Sequence, residues 1–133
     1  MARRIHEVMT RRVGVLAPED SLLDAAERLR GLEGAPVPVC HGRRVVGMLP
    51  DGDSVVRAVA MGWDTACLRI ADMMSPGIES CFEDEEADVV RRRMEQRRVE
   101  GLLVLDRARQ LVGRVVLGDL AAEDGLGSAP PPM

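Results

Sequence analysis

The sequence predicts an α/β (α+β) fold: two pseudo-symmetric repeats, each running strand, helix, strand, strand, helix, packed as one globular module. Three observations predict it. The segment Ile5-His6-Glu7-Val8-Met9-Thr10 recurs as Ile70-Ala71-Asp72-Met73-Met74-Ser75 at an offset of 65, both reading apolar, any, acidic, apolar, Met, hydroxyl. Farther on, Arg44-Val45-Val46-Gly47-Met48-Leu49 is answered by Gln110-Leu111-Val112-Gly113-Arg114-Val115 at an offset of 66, and Asp53 by Asp119 at the same spacing. Between these anchors both halves pass through the same order of short apolar run, helical periodicity and hairpin.

Each element has a local reason. The runs Val13-Gly14-Val15-Leu16 and Ile78-Glu79-Ser80-Cys81 read as short strands. Ser21-x-x-Asp24 opens the first helix by side-chain capping, and Leu22, Ala25, Ala26, Leu29 and Leu32 fall on one face; Ala87, Val90 and Met94 do the same in the second copy. Val37 to Cys40, the turn His41-Gly42-Arg43 and Val45 to Leu49 form one hairpin, and Leu102 to Leu105 with Leu111 to Val116 the other. Closing helices follow, from about residue 51 to 61 and from about 117 to 123. The repeats therefore span 5–62 and 70–123, joined by Gly62 to Arg69, with a Gly/Pro-rich tail over 124–133 that has little to bury and is expected to be disordered. Repeats of roughly 55 residues are too small to hold a durable core alone, so the halves are expected to pack together.

Composition removes several function classes. A chain of 133 residues, 46% hydrophobic and 30% charged, is expected to fold as a soluble domain, without room for a large multi-domain enzyme. No apolar run approaches the length of a spanning helix, and Glu7 interrupts the amino terminus before a signal-like core forms, so a cytoplasmic location away from membranes is expected. A net charge of -4 and only two aromatics, Trp63 and Phe82, argue against nucleic acid. Cys40, Cys67 and Cys81 are read as buried reduced thiols, Met9, Met48, Met73, Met74 and Met94 as core, and His6 and His41 as surface, with no metal site. The Arg91-Arg92-Arg93 and Arg97-Arg98 stretch behind Glu83-Asp84-Glu85-Glu86 fits a solvated helix. No nucleophile and base converge, so no enzyme is expected.

The paired Met-Thr and Met-Ser openings, Gly34-Ala35-Pro36-Val37-Pro38, Val46 to Asp53, and Val112 to Leu120 together resemble a tandem cystathionine β-synthase (CBS) domain pair, or Bateman module, of the stand-alone bacterial type. The match runs from about Ile5 to Glu123. The resemblance implies clefts between the repeats, a face-to-face homodimer, and regulation rather than catalysis. It further implies an adenosyl ligand, AMP, ADP, ATP or S-adenosylmethionine, whose occupancy is signalled to a regulated protein. No cofactor is implied.

Transferred by motif, the ligand-binding residues are Asp119 and Asp53 for ribose, Val13, Val37, Ile78 and Leu102 for adenine, and Gly118 for close backbone approach. Arg114 stands where the sister copy has Met48 and admits two placements, aimed at phosphate or snorkelling from an edge. The family's hydroxyl positions hold Pro50 and Val116. Pro50 removes a backbone donor and lies beside Asp51 and Asp53, so the Asp119 site is the better one. The alternative is a ligand-free dimerisation scaffold with degenerate nucleotide sites.

Overall fold

The computed structural model describes residues 3–11, 13–29, 36–49, 53–62 and 67–121, which form two compact units. One is continuous, Arg12–Ile78; the other is discontinuous, Met1–Arg11 with Glu79–Met133. Sequence repeat and compact unit therefore do not coincide. The opening segment of each repeat, its leader, belongs to the unit built by the other repeat. The Gly62 to Arg69 joint falls inside the continuous unit, and the chain passes between units near residues 11–12 and 78–79. Leu32, Pro50, Asp51, Trp63 and the 124–133 tail lie outside the described residues.

In the continuous unit, α2 (Leu22–Leu29) precedes the antiparallel hairpin β1 (Val37–His41) and β2 (Arg44–Leu49), and α3 (Asp53–Ala60) follows. In the discontinuous unit, α1 (Ile5–Val8) is the leader. Strand β3 (Ser80–Phe82) runs parallel to β4 (Gly101–Leu105), β4 pairs antiparallel with β5 (Leu111–Val116), and α4 (Ala87–Arg97) and α5 (Leu117–Ala121) complete it. The expected cap is present, with Asp24 N–H donating to Ser21 Oγ at 3.1 Å. The expected faces are buried too: Leu22, Ala25 and Leu29 on α2, and Ala87, Val90 and Met94 on α4. Both hairpins carry a bulge at the same place, at Val39/Cys40 and Val104/Leu105.

Two expected strands change. The second begins at Ser80 rather than Ile78. The first, Val13 to Leu16, shrinks to a single parallel bridge between Leu16 and Val39. The reason lies in two prolines. The longer ladder of β3 uses Leu103 N–H to Glu79 O at 3.0 Å and Glu83 N–H to Leu105 O at 2.9 Å. The matching donors in the first repeat are Pro38 and Pro18, which have no N–H. Among the described residues only Leu16 N–H to Pro38 O and Cys40 N–H to Leu16 O remain there, at 3.1 and 2.8 Å.

The leaders dock by one construction used twice. Each is a single tight turn, α1 in one copy and a 3₁₀ turn over Ile70–Asp72 in the other. The turn is closed by its acid: Arg4 N–H donates to Glu7 Oε2 at 3.1 Å and Arg69 N–H to Asp72 Oδ2 at 2.9 Å. Ile5 and His6 donate backbone N–H to Glu85 O and Glu83 O, while Ile70 and Ala71 donate to Asp20 O and Pro18 O, each at 2.9 Å. Ile5 and Ile70 are fully buried, each inside a core otherwise made by the other repeat. Burial of one such side chain is worth about 1.5–3 kcal/mol.

Downstream of each turn the backbone lies against the second hairpin strand. Thr10 and Arg114 exchange both backbone hydrogen bonds, at 2.8 and 2.9 Å, and Ser75 and Met48 do so at 2.8 and 3.0 Å. Next to each bridge sits a glycine with no room for a side chain. A Cβ on Gly113 would lie 2.8 Å from both Met9 Sδ and Thr10 O; one on Gly47 would lie 2.7 Å from Met74 Sδ and 3.0 Å from Ser75 O. The recurrent acid, Met, hydroxyl residue and glycine thus form one lock.

Two stability predictions follow from this geometry. Gly113→Ala is expected to cost about 1–3 kcal/mol and Gly47→Ala less, because the backbone oxygen, which cannot yield as a thioether does, lies at 2.8 Å in the first and at 3.0 Å in the second; urea melts measure both. Arg109 holds φ 65° where the sister turn has Gly42 at φ 61°, so Arg109→Gly is expected to stabilise by up to about 1 kcal/mol in the same assay.

Candidate functional site

Strand β5 carries the candidate site. From Gly113 on its residues alternate, Gly113 and Val115 buried and Arg114 and Val116 half-buried, so the last two share the open face, while Val112, beside the bulge, packs against the core. Thr10, which is exposed, is bridged to Arg114 and places its side chain on that same face. Sequence reasoning had not singled it out as a site residue. Its signal was the hydroxyl repeated as Thr10 and Ser75, which becomes interpretable only once the leader is known to cross to the other unit.

Helix α5 starts where β5 stops. Asp119, half-buried in its first turn, reaches back so that Val116 N–H donates to its Oδ2 at 3.3 Å. This is the reciprocal half of a capping box, with the valine side chain standing where a hydroxyl would complete it. Gly118 is exposed, with open space where a Cβ would project. Leu102 pairs with Val115 and is buried in the core. Of the expected ligand residues, Leu102, Arg114, Gly118 and Asp119 thus fall in the discontinuous unit.

The others, Val13, Val37, Asp53 and Ile78, fall in the continuous unit. Val37 is buried in its core, Val13 is half-buried and Ile78 is exposed. Asp53 opens α3. The residue three positions before it is Pro50, which lacks the N–H that Val116 gives to Asp119. Ser75, the counterpart of Thr10, is bridged to the buried Met48 rather than to a cation. Its Oγ accepts from Gly77 N–H at 3.3 Å. The two units thus share a frame and differ in the polar groups placed on it.

A family model for the CBS domain matches residues 5–53 and 70–124. The chain belongs to the CBS domain family. As a CBS pair it is 28% identical over 129 residues to the CBS domain-containing protein YhcV of Bacillus subtilis, covering 94% of this chain and 91% of that one. The CBS domain pair of protein MJ0100, crystallised with 5′-methylthioadenosine and S-adenosyl-L-methionine, superposes with a TM-score of 0.74 at 20% identity, over 96% of this chain and 99% of that chain. The CBS domain of a bacterial CNNM/CorC family Mg²⁺ transporter, in complex with ATP, gives a TM-score of 0.75 at 21% identity, over 90% and 85%. CBS pairs are regulatory modules.

The remaining chemistry-bearing residues of this CBS pair have structural roles. Arg91 pairs with Asp88 and Glu95, Arg93 with Glu85 at 3.0 Å, and Arg97 with Glu79 at 3.2 Å. Three arginines of the basic stretch are therefore tied to neighbouring carboxylates. Glu85 also closes the turn that receives the leader, accepting Phe82 N–H at 2.8 Å, as Asp20 does from Ala17 at 2.8 Å. Arg107 lies 4.2 Å from the Phe82 ring centroid and donates twice to Asp84, at 2.8 and 3.0 Å, which holds that carboxyl below its ordinary range. His6 and His41 are exposed. Among the described residues no His, Cys, Asp and Glu group is placed to hold a metal ion, and no helix is long and apolar enough to cross a membrane.

One cysteine departs from expectation. Cys40 and Cys81 are buried, but Cys67 is exposed, because it lies between the α3 exit and the second leader rather than on a core-facing element. Burial pushes the Cys40 thiol up to about 11 and the Cys81 thiol, with help from Glu85, up to about 12. A disulfide reagent at neutral pH is expected to label Cys67 rapidly and the other two only after denaturation; rapid labelling of all three would contradict this burial.

Proposed function

We propose that this CBS pair is a non-catalytic regulatory module that takes an adenosyl ligand (AMP, ADP, ATP or S-adenosylmethionine) and passes its occupancy to a regulated protein. The observation that carries the reading is the polar group set on the open face where β5 meets α5: Arg114, Thr10 bridged to it, and Asp119 beside Val116. The Asp119 carboxylate is suited to accept hydrogen bonds from ribose hydroxyls, and the Arg114 guanidinium and Thr10 hydroxyl to donate to phosphate or carboxylate oxygens. Val13, Val37, Ile78 and Leu102 are assigned to the apolar surroundings of adenine, and Gly118 admits a ligand without a side chain in the way. The adenosyl compounds held by the MJ0100 and CNNM/CorC domains support this ligand class.

Within this reading the ligand favours the Asp119 site over the Asp53 site. The Asp119 site has Arg114 where its sister has the buried Met48, and Asp53 is accompanied by a second carboxylate at Asp51. Occupancy acts by binding two shapes of the module unequally. The working form is assigned as a cytoplasmic homodimer. Supporting a partner copy, α2 and α3 expose Leu23, Val56 and, just past α3, Met61, which are 51%, 46% and 68% accessible.

One observation favours a second reading, a ligand-free dimerisation scaffold. Val116 supplies no hydroxyl, and its N–H already occupies one Asp119 oxygen. A neutral hydrogen bond is worth about 0.5–1.5 kcal/mol against about 8 kcal/mol for micromolar affinity, so that loss weakens a site without abolishing it.

A thermal-shift panel of the four ligands separates the two. Ligand at about 100 times its dissociation constant is expected to add roughly 2.7 kcal/mol, on the order of 10 °C for a chain of this size. Asp119→Ala is expected to weaken binding about tenfold or more and Asp53→Ala much less. Equal losses overturn the site preference, and no shift with any of the ligands overturns the sensor reading in favour of the scaffold.

A further inference from the structure

Each unit carries a groove built to receive a short segment from elsewhere in the chain. Its floor is the glycine of the second hairpin strand, its wall the strand edge that exchanges two backbone hydrogen bonds, and its far end the turn whose carbonyls accept two leader N–H groups. A fully buried isoleucine anchors the segment. The groove takes the isoleucine, the Met four residues later and the backbone of the residue five later, while the acid two residues after the isoleucine folds the leader's own turn. None of these contacts depends on the leader being covalently joined to the unit it fills.

We propose that the two grooves are peptide-recognition sites that hold a leader supplied in trans as they hold the covalently joined one, so that reciprocal leader exchange keeps the two halves of this chain associated after it is cut. A chain cut between Gly62 and Cys67 leaves each fragment with one leader and one groove, since both sides of that cut lie in the continuous unit while each leader lies in the unit of the other repeat. This inference is independent of whether a nucleotide binds.

Charge decides which leader goes to which groove. The turn receiving the first leader is Glu83-Asp84-Glu85-Glu86, and that leader carries Arg3 and Arg4 before its isoleucine. Arg4 Nη1 donates to Asp84 O at 3.1 Å and lies 4.0 Å from Glu86. The turn receiving the second leader is Pro18-Glu19-Asp20-Ser21, with half the carboxylates, and that leader has the single Arg69. The more basic leader occupies the more acidic groove, which biases the exchange toward the observed pairing.

The test uses the full chain with a protease site replacing residues 63–66, cut after folding. The cut protein is expected to elute as one species of intact mass at micromolar concentration and to dissociate at least about tenfold more readily when it also carries Gly47→Val and Gly113→Val. Separation of the unaltered fragments upon cutting, or unchanged association of the glycine variant, overturns the proposal. Should the double variant fail to fold before cutting, a second measurement decides. Synthetic peptides of residues 3–11 and 68–76 together, in large excess over the cut wild-type chain, are expected to displace fragment 1–62, whereas scrambled peptides leave it in place. Failure of the native peptides to displace, or equal displacement by the scrambled ones, overturns the proposal.

Discussion

The close approach of the leader backbone to Gly113 and Gly47 is the contact on which the rest of the structure depends. Thr10 O would be only 2.8 Å from a Cβ at position 113, and Ser75 O 3.0 Å from one at position 47. Only a glycine lets the strand edge and the leader come near enough to exchange both backbone bonds while a methionine covers the gap. With that approach secured, Ile5 and Ile70 reach the cores they complete. Each repeat alone is of the size at which a hydrophobic core is marginal. Each makes up the shortfall with an anchor borrowed from the other.

The exchange also accounts for residues that look unrelated along the chain. The acids at 7 and 72 tighten the leader turn, those at 85 and 20 tighten the turn that receives it, and the carbonyls of that receiving turn accept the leader amides. Acidic run, Met-hydroxyl pair and hairpin glycine are three sides of one contact. Glu85 adds a further link, since its other oxygen pairs with Arg93 on α4 and thereby joins the receiving turn to the helix behind it.

On this shared frame the copies have diverged in ways that follow from side-chain chemistry. Prolines at 18 and 38 delete two ladder donors and reduce the first repeat's leading strand to a bridge, while Glu83 and Leu103 keep the second one. Met48 closes the face beside Ser75; Arg114 opens the equivalent face beside Thr10 to polar chemistry. Polar groups suited to a charged ligand thus gather in the discontinuous unit. Large apolar side chains stay exposed on helices of both units, Leu23 and Val56 in the continuous one and Val89 in the discontinuous one, so the divergence lies in the polar groups.

The sequence by itself determined the helix faces and both hairpins, because these rest on periodicity and local capping that a short window contains; the duplication was legible through self-similarity at a spacing of 65 to 66 residues, and the CBS membership through a resemblance carried by the motifs repeated at that spacing. Leu22, Ala25, Leu29 and their counterparts Ala87, Val90 and Met94 were legible for that reason. The two prolines were legible as residues, but which ladder bonds they would delete required knowing their strand partners. Tertiary structure alone decided that each leader serves the other repeat, that Thr10 stands beside Arg114, that Asp119 accepts from Val116, and that Cys67 is exposed. Those facts join residues tens of positions apart, and no local preference encodes which of two nearly identical grooves a leader will enter.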